Sequence, residues 1–263
     1  MEDENFGDTN FGNEEIKSEL TGLNKGDKDQ KKKQIIIGIA ASAFLVVILV
    51  IIIILATSNS KKKLKFIGDI NCIYDIQSLE SMIISEDYKK TTKFDIYVDN
   101  NLIKYEKKHK FPKTGKYNIT IKLYNTVNID YMFKGIKDLI SVDMESNNKG
   151  KITSMISTFE NCQNLDRFTI KGFDVTQLSS THKLFYKTSL KSFFFKDFNS
   201  ENLEDISYMF AETSLGIFTM KDINTKKVIN MSHLFENCYT LQFTDFSYLD
   251  TSNVKDMSFM YCN

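Results

Sequence analysis

The amino-acid sequence predicts an α/β solenoid of about five coils, which follows one transmembrane helix and a β-rich capping module. Three observations predict it: an aromatic residue that recurs every 25–26 residues, apolar columns that change period within each repeat, and an uncharged stretch of 22 residues. Positive and negative side chains are equal in number, so no charge imbalance points to nucleic acid as a partner.

Residues 1–34 are polar and show no apolar period, which predicts a disordered cytoplasmic tail. Residues 35–56 carry no charge and are long enough to cross the roughly 30 Å hydrocarbon core of a bilayer, so they predict a transmembrane helix. Residues 57–65 form a short polar stalk. Lysines flank the apolar segment on both sides, so the positive-inside rule does not decide its orientation.

Residues 66–129 predict a β-rich module that caps the open edge of the first coil. A hairpin is indicated around the turn at 99–101, and residues 116–124 alternate between apolar and polar side chains, as a strand does. A helix is suggested only by the spacing of apolar residues in 76–84.

A basic cluster lies in this module. Its members are Lys104, Lys107, Lys108, His109, Lys110, Lys113 and Lys116. One interpretation is a patch for anionic glycans, lipid headgroups or an acidic partner. The other is that the lysines protect a sheet edge from pairing with other chains.

One aromatic column marks the repeats in residues 130–263. It consists of Phe133, Phe159, Phe185, Phe210, Phe235 and Tyr261. Two apolar columns follow and lie two residues apart, which is the spacing of a strand with one face turned inward. These columns are Val142, Phe168, Phe193, Phe218 and Thr244, and then Met144, Ile170, Phe195, Met220 and Phe246.

The second half of each coil has apolar columns three residues apart. They begin at Ile152, Leu178, Leu203, Val228 and Val254, and continue at Met155, Thr181, Ile206, Met231 and Met257. This spacing places side chains on one stripe of a helical turn, so each coil is predicted to contain a short helix.

An Asx residue stands between the strand and the predicted helix of every coil. The column is Asn148, Asp174, Asn199, Asn224 and Asp250. It predicts a tight turn in which the short side chain accepts hydrogen bonds from the backbone, and a calcium site is the alternative.

The segments LFENC and TSNVKDM in the last coil, and STFENCQNL at 157–165, share a recognisable pattern. They resemble the repeat of BspA-like leucine-rich-repeat surface proteins, and the resemblance extends over residues 130–263. It implies leucine-rich-repeat coils that face the outside of a cell and act in recognition or adhesion without catalysis. It does not identify a ligand.

The sequence contains no Gly-rich phosphate loop, G-x-S-x-G or HExxH motif. We therefore predict no enzyme activity, no cofactor and no metal site. Cys162 and Cys238 share a column but are three coils apart, about 14 Å at strand spacing, which is beyond disulfide reach. We predict that both are buried as small residues. His182 and His233 have no Cys, Asp or Glu partner at ligand spacing.

Strand parity predicts the binding face. Phe194, Ile217 and Phe243 should point outward on consecutive coils, where exposed apolar side chains are informative. Beside them, a column of like charges is predicted from Lys171, Lys196 and Lys221. We predict that these six residues bind a protein or an anionic glycan. The alternative is that residues 193–195 are buried together and that the lysines only solubilise the sheet.

We therefore predict a single-pass protein of the plasma membrane whose extracellular repeat domain binds protein or glycan partners. The alternative is an architectural protein whose solenoids associate with each other and have no foreign ligand. Asn118 and Asn230 lie in sequons and are candidate glycosylation sites. Residues 260–262 begin a coil that the sequence does not finish, so we expect a longer product or a partner that covers the last coil.

Overall fold

The computed structural model describes residues 25–27, 29–34, 46–49, 64–196, 198, 200–219, 221 and 223–261. They belong to two compact units, 1–63 and 64–263.

In the first unit, residues 25–27, 29–34 and 46–49 are helical. The structure differs from the predicted disordered tail at residues 25–27 and 29–34, which are helical. The rest of that tail lies outside the described residues. So do 35–45 and 50–56 of the predicted transmembrane segment. Within the part of the chain that is described, no helix is long and apolar enough to span a bilayer.

In the second unit the described residues form thirteen β-strands and no helix. The strands are β1 (Phe66–Ile76), β2 (Glu80–Met82), β3 (Lys93–Val98), β4 (Asn101–Ile103), β5 (Lys108–Lys110), β6 (Gly115–Tyr124), β7 (Val127–Asn128), β8 (Leu139–Glu145), β9 (Ile152–Ser154), β10 (Arg167–Lys171), β11 (Ser192–Lys196), β12 (Ile217–Thr219) and β13 (Phe243–Asp245).

One seven-stranded sheet joins the capping module to the first coils of the solenoid. Its strand order is β11-β10-β8-β1-β6-β3-β4. The capping strands β1, β3, β4 and β6 pair antiparallel, and the solenoid strands β8, β10 and β11 pair parallel. Strand β1 pairs antiparallel with β8, so the capping module covers the edge of the first coil with backbone hydrogen bonds.

The predicted hairpin is the β3–β4 pair. Its turn residues Asp99 and Asn100 have φ angles of 44° and 69°, which suit the tight turns that match the twist of two strands. The helix suggested in 76–84 is wrong: Ile76 ends β1, and the backbone N–H groups of Ile83 and Ile84 donate to the Lys107 carbonyl. The apolar spacing there reflects burial of these three isoleucines from extended and turn structure.

The aromatic column forms a continuous stack inside the solenoid. Neighbouring ring centroids are 5.4, 5.7, 5.7, 5.9 and 5.3 Å apart along Phe133, Phe159, Phe185, Phe210, Phe235 and Tyr261. All five phenylalanines are fully buried. The predicted solenoid is confirmed, and we number its coils 1 to 5 from these five phenylalanines in chain order.

The short helix predicted in each coil is wrong. Segments 129–136, 155–162, 181–188, 206–213 and 231–238 instead form successive turns, which together we call the turn ribbon. Alternate N–H groups donate to the next coil, as from Ser157 to His182 and from Phe159 to Leu184. Because an α-helix would keep these bonds within one coil, the α/β leucine-rich-repeat class is corrected to a β-solenoid with little helix.

The apolar period of three arises because the turns also bond residues three apart. Within the turn ribbon, Glu160 N–H donates to the Ser157 carbonyl and Cys162 N–H donates to the Phe159 carbonyl. Residues four apart, such as Ser157 and Asn161, have positive φ angles of 51° and 60°. A right-handed helix does not contain such residues, so a period of three describes a stack of turns here.

The predicted Asx turns are confirmed at Asp174, Asn224 and Asp250. The Oδ1 atom of each accepts a hydrogen bond from the N–H two residues on. Hydrogen bonds from Thr176 hold the pKa of Asp174 below its usual value, and those from Ser252 do the same for Asp250. Asn199 lies outside the described residues, and Asn148 instead donates from Nδ2 to the Phe66 carbonyl.

A second set of Asx turns lies directly before segments of the turn ribbon, at Asp205 and Asn230, and at the equivalent Asp256 of the last coil. Each Oδ1 atom accepts from the serine N–H two residues on, at 2.9–3.0 Å. The signal in the sequence is the recurring serine after Asx-x. Asn230 also accepts from the Ser232 hydroxyl and forms parallel backbone bridges with Asp205 and Asp256 of the neighbouring coils, whereas Asn118 is exposed on β6.

Three glycines lie where the capping module meets the coils. A Cβ atom at Gly172 would lie 2.1 Å from the Ser146 carbonyl oxygen, and one at Gly150 would lie 2.3 Å from the Ile67 carbonyl oxygen. At Gly68 it would lie 2.5 Å from the Glu145 carbonyl oxygen. The join is therefore packed backbone against backbone.

Candidate functional site

The outer face of the seven-stranded sheet is mainly polar. Side chains from neighbouring strands bond across it: Thr169 donates to Asp143, and the Thr120 hydroxyl donates to Asn71 Oδ1 at 2.9 Å. A shallow groove of about 530 Å³ lies on this face and is lined by both pairs and by Asn118. The outer face of these strands therefore has the polar side chains expected of a sheet surface in contact with solvent.

On the coils beyond β10, apolar side chains are exposed on the outer side of the strands. Phe194, Ile217 and Phe243 are 51%, 69% and 59% exposed, and we call these three residues the exposed strip. Their positions agree with the predicted strand parity, because Phe195 is buried and Phe193 is packed partly against the core. The alternative of a jointly buried 193–195 run is wrong for Phe194. Ligand binding by the strip stays a prediction.

The predicted lysine column is not a row of unpaired like charges. Lys171 Nζ lies 3.1 Å from Glu145 Oε1 on the neighbouring strand β8. Lys221 is exposed, and the Lys196 side chain lies outside the described residues. Glu145 occupies the position of this lysine column in coil 1, so the register of the repeats is the signal that identifies it as the neighbour of Lys171.

The basic cluster of the capping module also has acidic partners. Lys107 Nζ lies 3.5 Å from Glu86 Oε2, and the His109 ring contacts the Glu106 carboxylate. Strand β5 pairs with β2, so Lys108 and Lys110 lie on a paired strand. These contacts favour a local structural role for part of the cluster.

The solenoid sheet is interrupted between coil 3 and coil 4. Strand β11 is the last strand of the seven-stranded sheet, and β12 pairs only with β13 in a separate sheet of the described residues. In coils 2, 3 and 5, a backbone N–H just before the strand donates to a carbonyl group of the preceding coil. These bonds run from Asp166 to Ile140, from Lys191 to Asp166 and from Gln242 to Gly216. No such bond is made from the coil-4 corner to coil 3 among residues 189–196 and 214–219.

A pocket of about 610 Å³ lies at this interruption, and we call it the strand cleft. Its walls are residues 191–195 of coil 3 and Ser214, Gly216, Ile217, Thr219 and Ile223 of coil 4. Two members of the exposed strip, Phe194 and Ile217, therefore lie on opposite walls of one cleft. The third, Phe243, pairs with Ile217 on the adjacent strand.

The cysteines and histidines take structural positions. Burial raises the pKa of the Cys72, Cys162 and Cys238 thiols, so these side chains stay protonated and unreactive. The Sγ atoms of Cys162 and Cys238 donate to carbonyl groups of the preceding coil, as we predicted for buried residues.

His182 Nδ1 lies 2.7 Å from the Ser207 hydroxyl, and burial lowers the pKa of this histidine. His233 stacks between Tyr208 and Phe259, with ring centroids 4.2 and 4.9 Å away. Among the described residues, no group of three or more His, Cys, Asp or Glu is arranged to hold a metal ion.

Comparison with known proteins places the repeat region in a family. Residues 105–215 and 213–263 match a family model described as "Mycoplasma protein of unknown function, DUF285". No curated protein and no solved structure matches the chain. The two family matches together span 105–263, which is more than half of the 263 residues. The chain therefore belongs to the DUF285 family of Mycoplasma proteins of unknown function.

Proposed function

We propose that this chain is a membrane-anchored surface protein whose solenoid binds a protein or glycan partner. The observation that carries the proposal is the exposed strip, in which Phe194, Ile217 and Phe243 are each more than half exposed. Most large apolar side chains of the solenoid are buried in stacked columns, although Tyr239, Tyr248 and Phe259 are also exposed outside the strip. Clustered apolar exposure of this kind is typical of interaction sites.

The geometry supports recognition rather than chemistry. The strip lies on short strands held by a rigid aromatic stack, and aromatic side chains on a rigid scaffold act as binding anchors. The resemblance of the repeats to BspA-like surface proteins supports the same role. Self-association of two such strips is the second candidate, because an apolar surface can also bind its own copy.

Membrane anchoring is part of the proposal and rests on the uncharged segment 35–56. We expect protease added to intact cells to remove a tag at the C-terminus and to leave a tag at the N-terminus. We also expect the full chain to remain with membranes after alkaline extraction. Digestion of residues 64–263 only after permeabilisation would reverse the topology, and release by alkali would remove the anchor from the proposal.

We expect the double substitution Phe194→Ser with Phe243→Ser to reduce partner binding by at least about tenfold, because two anchors of roughly 1–2 kcal/mol each are lost. The measurement uses the full chain in mild detergent on arrays of glycans and of cell-surface proteins. Sedimentation of the same samples reports self-association.

The matched control is Leu102→Ser, because Leu102 is 62% exposed on β4, away from the strip. It should bind as the unsubstituted chain does. If the double variant binds the arrays normally, the strip is not the site. If it loses only self-association, the architectural alternative is supported.

A further inference from the structure

We infer that the strand cleft accepts one extended, acidic polypeptide segment, which adds a β-strand between β11 and β12. The inference rests on the proposed recognition function and narrows its partner to a protein. It concerns the backbone of the cleft as well as the exposed strip, so it can fail while the proposed function stands.

Backbone groups of both strands point into the strand cleft. Ser192 N–H donates away from the cleft to Asp166, and Phe243 N–H donates to Gly216. Successive residues of a strand direct their backbone groups to opposite neighbours. The N–H and C=O groups of Phe193 and of Ile217 therefore face each other across the cleft.

Such groups need a particular kind of partner. Two facing strand edges offer donors and acceptors at the spacing of a β-ladder, and an extended peptide backbone matches that spacing on both sides. Sugar hydroxyl groups have no such periodic arrangement. Unpaired edges are also a recognised site for strand addition, so the cleft fits a polypeptide better than a glycan.

The interruption between coils 3 and 4 is confined to their strands. In the turn ribbon, coil 3 and coil 4 remain bonded: Lys183 N–H donates to Ser207, Phe185 to Met209 and Lys187 to Ala211, at 3.0–3.1 Å. The ribbon thus holds the two coils together, while among the described residues β11 and β12 are not paired with each other and touch through the inward rings of Phe193 and Phe218. A pocket of about 610 Å³ is within the usual size of ligand sites.

The strand cleft has positively charged side chains at its ends. Lys191 lines the cleft and is exposed, and Lys221 is exposed two residues after the end of β12. The described residues that line the cleft include no carboxylate. An inserted strand would therefore place acidic side chains near its two ends, towards these lysines, and apolar side chains in its middle, beside Phe194 and Ile217.

A pair of substitutions at Ile217 separates the backbone from the side chain. Ile217→Pro removes the N–H group that faces the cleft, whereas Ile217→Thr removes the apolar side chain and keeps that N–H. The preceding residue is Gly216, which tolerates the restriction that proline imposes on its neighbour. Pairing of β12 with β13 uses the neighbouring residues Gly216 and Phe218, so it is retained in both variants.

The probe is a synthetic library of capped octapeptides that have an apolar centre and either glutamate or lysine near both ends, tested on the full chain in mild detergent. We expect the glutamate peptides to bind at least about tenfold more tightly than the lysine peptides. Binding to Ile217→Pro should be weaker than to Ile217→Thr, by about three- to tenfold for one hydrogen bond. Bound peptide should slow amide exchange at 193–195 and 217–219.

Two outcomes overturn the inference. One is that no octapeptide binds, and the other is that a peptide with N-methylated alternate amides binds the unsubstituted chain as well as its parent does. The second measurement needs no variant, so misfolding of Ile217→Pro cannot obscure it. If the arrays still show a partner that depends on Phe194 and Phe243, the proposed function survives and only strand insertion is wrong.

Discussion

Phe185→Ala is expected to lower the free energy of unfolding by about 3–5 kcal/mol. Phe185 is fully buried in the middle of the aromatic stack, 5.7 Å from the rings of Phe159 and Phe210 and 4.9 Å from Phe168. Alanine would leave a cavity that the stacked coils cannot close, because each coil is hydrogen-bonded to both of its neighbours. Denaturant unfolding, followed by circular dichroism, measures the loss.

The matched control is Phe194→Ala in the same coil. Phe194 is 51% exposed, so its removal should change the free energy of unfolding by no more than about 0.5 kcal/mol. Equal losses for the two variants would show that Phe194 belongs to the core and would move the strand register by one residue. That result would also remove the exposed strip from the proposed function.

Gly172→Ala should destabilise the fold by more than about 4 kcal/mol or prevent folding. The new Cβ atom would overlap the Ser146 carbonyl oxygen at 2.1 Å, and backbone cannot move aside as the end of a flexible side chain can. Ser146 cannot shift freely, because its hydroxyl donates to the Ile67 carbonyl and accepts from Gly150 N–H. The overlap therefore strains the join between β1 and the first two coils.

Gly135→Ala isolates the cost of backbone conformation. Gly135 has a φ of +74°, almost the same as the +73° of Gly172, but no atom lies within 4 Å of a Cβ atom placed there. This variant should lose only about 1–2 kcal/mol, the cost of a left-handed conformation for alanine. Thermal unfolding of the two variants side by side gives the difference. If both lose the same amount, the close approach at Ser146 does not constrain the fold.

The residue columns in the sequence predict the solenoid, but the period of three does not predict the conformation of its turns. The aromatic and strand columns predicted most of the buried core, because equivalent residues of stacked coils must fill the same space, whereas Tyr261 of the last coil is half exposed. The helix was predicted wrongly because turns that bond residues three apart bury the same positions as a helical stripe. The positive φ angles, as at Ser157 and Asn161, and the hydrogen bonds to the next coil distinguish the two, and neither has a strong signal in the sequence.

The candidate site was predicted only in part. Strand parity placed Phe194, Ile217 and Phe243 on the outer face, since that follows from a period of two. The strand cleft was not predicted, because the sequence of coil 4 keeps the apolar columns of its neighbours and only the backbone departs from them. The pairing of Lys171 with Glu145 was also missed, although the repeat register places Glu145 beside Lys171, because the lysine column was followed only through the coils that carry lysine.

The place of β1 in the sheet affects the order in which the chain can complete its fold during synthesis. Strand β1 is made first, yet it lies between β6 and β8, and Ile70 has Ile121 on one side and Met144 on the other. While the chain emerges from the ribosome, β1 keeps an open edge until residue 145 has been made. The strands of coils 2 and 3 then add to an edge that already exists, and coil 4 joins coil 3 through the turn ribbon, so assembly of the solenoid proceeds from the capping module towards coil 5.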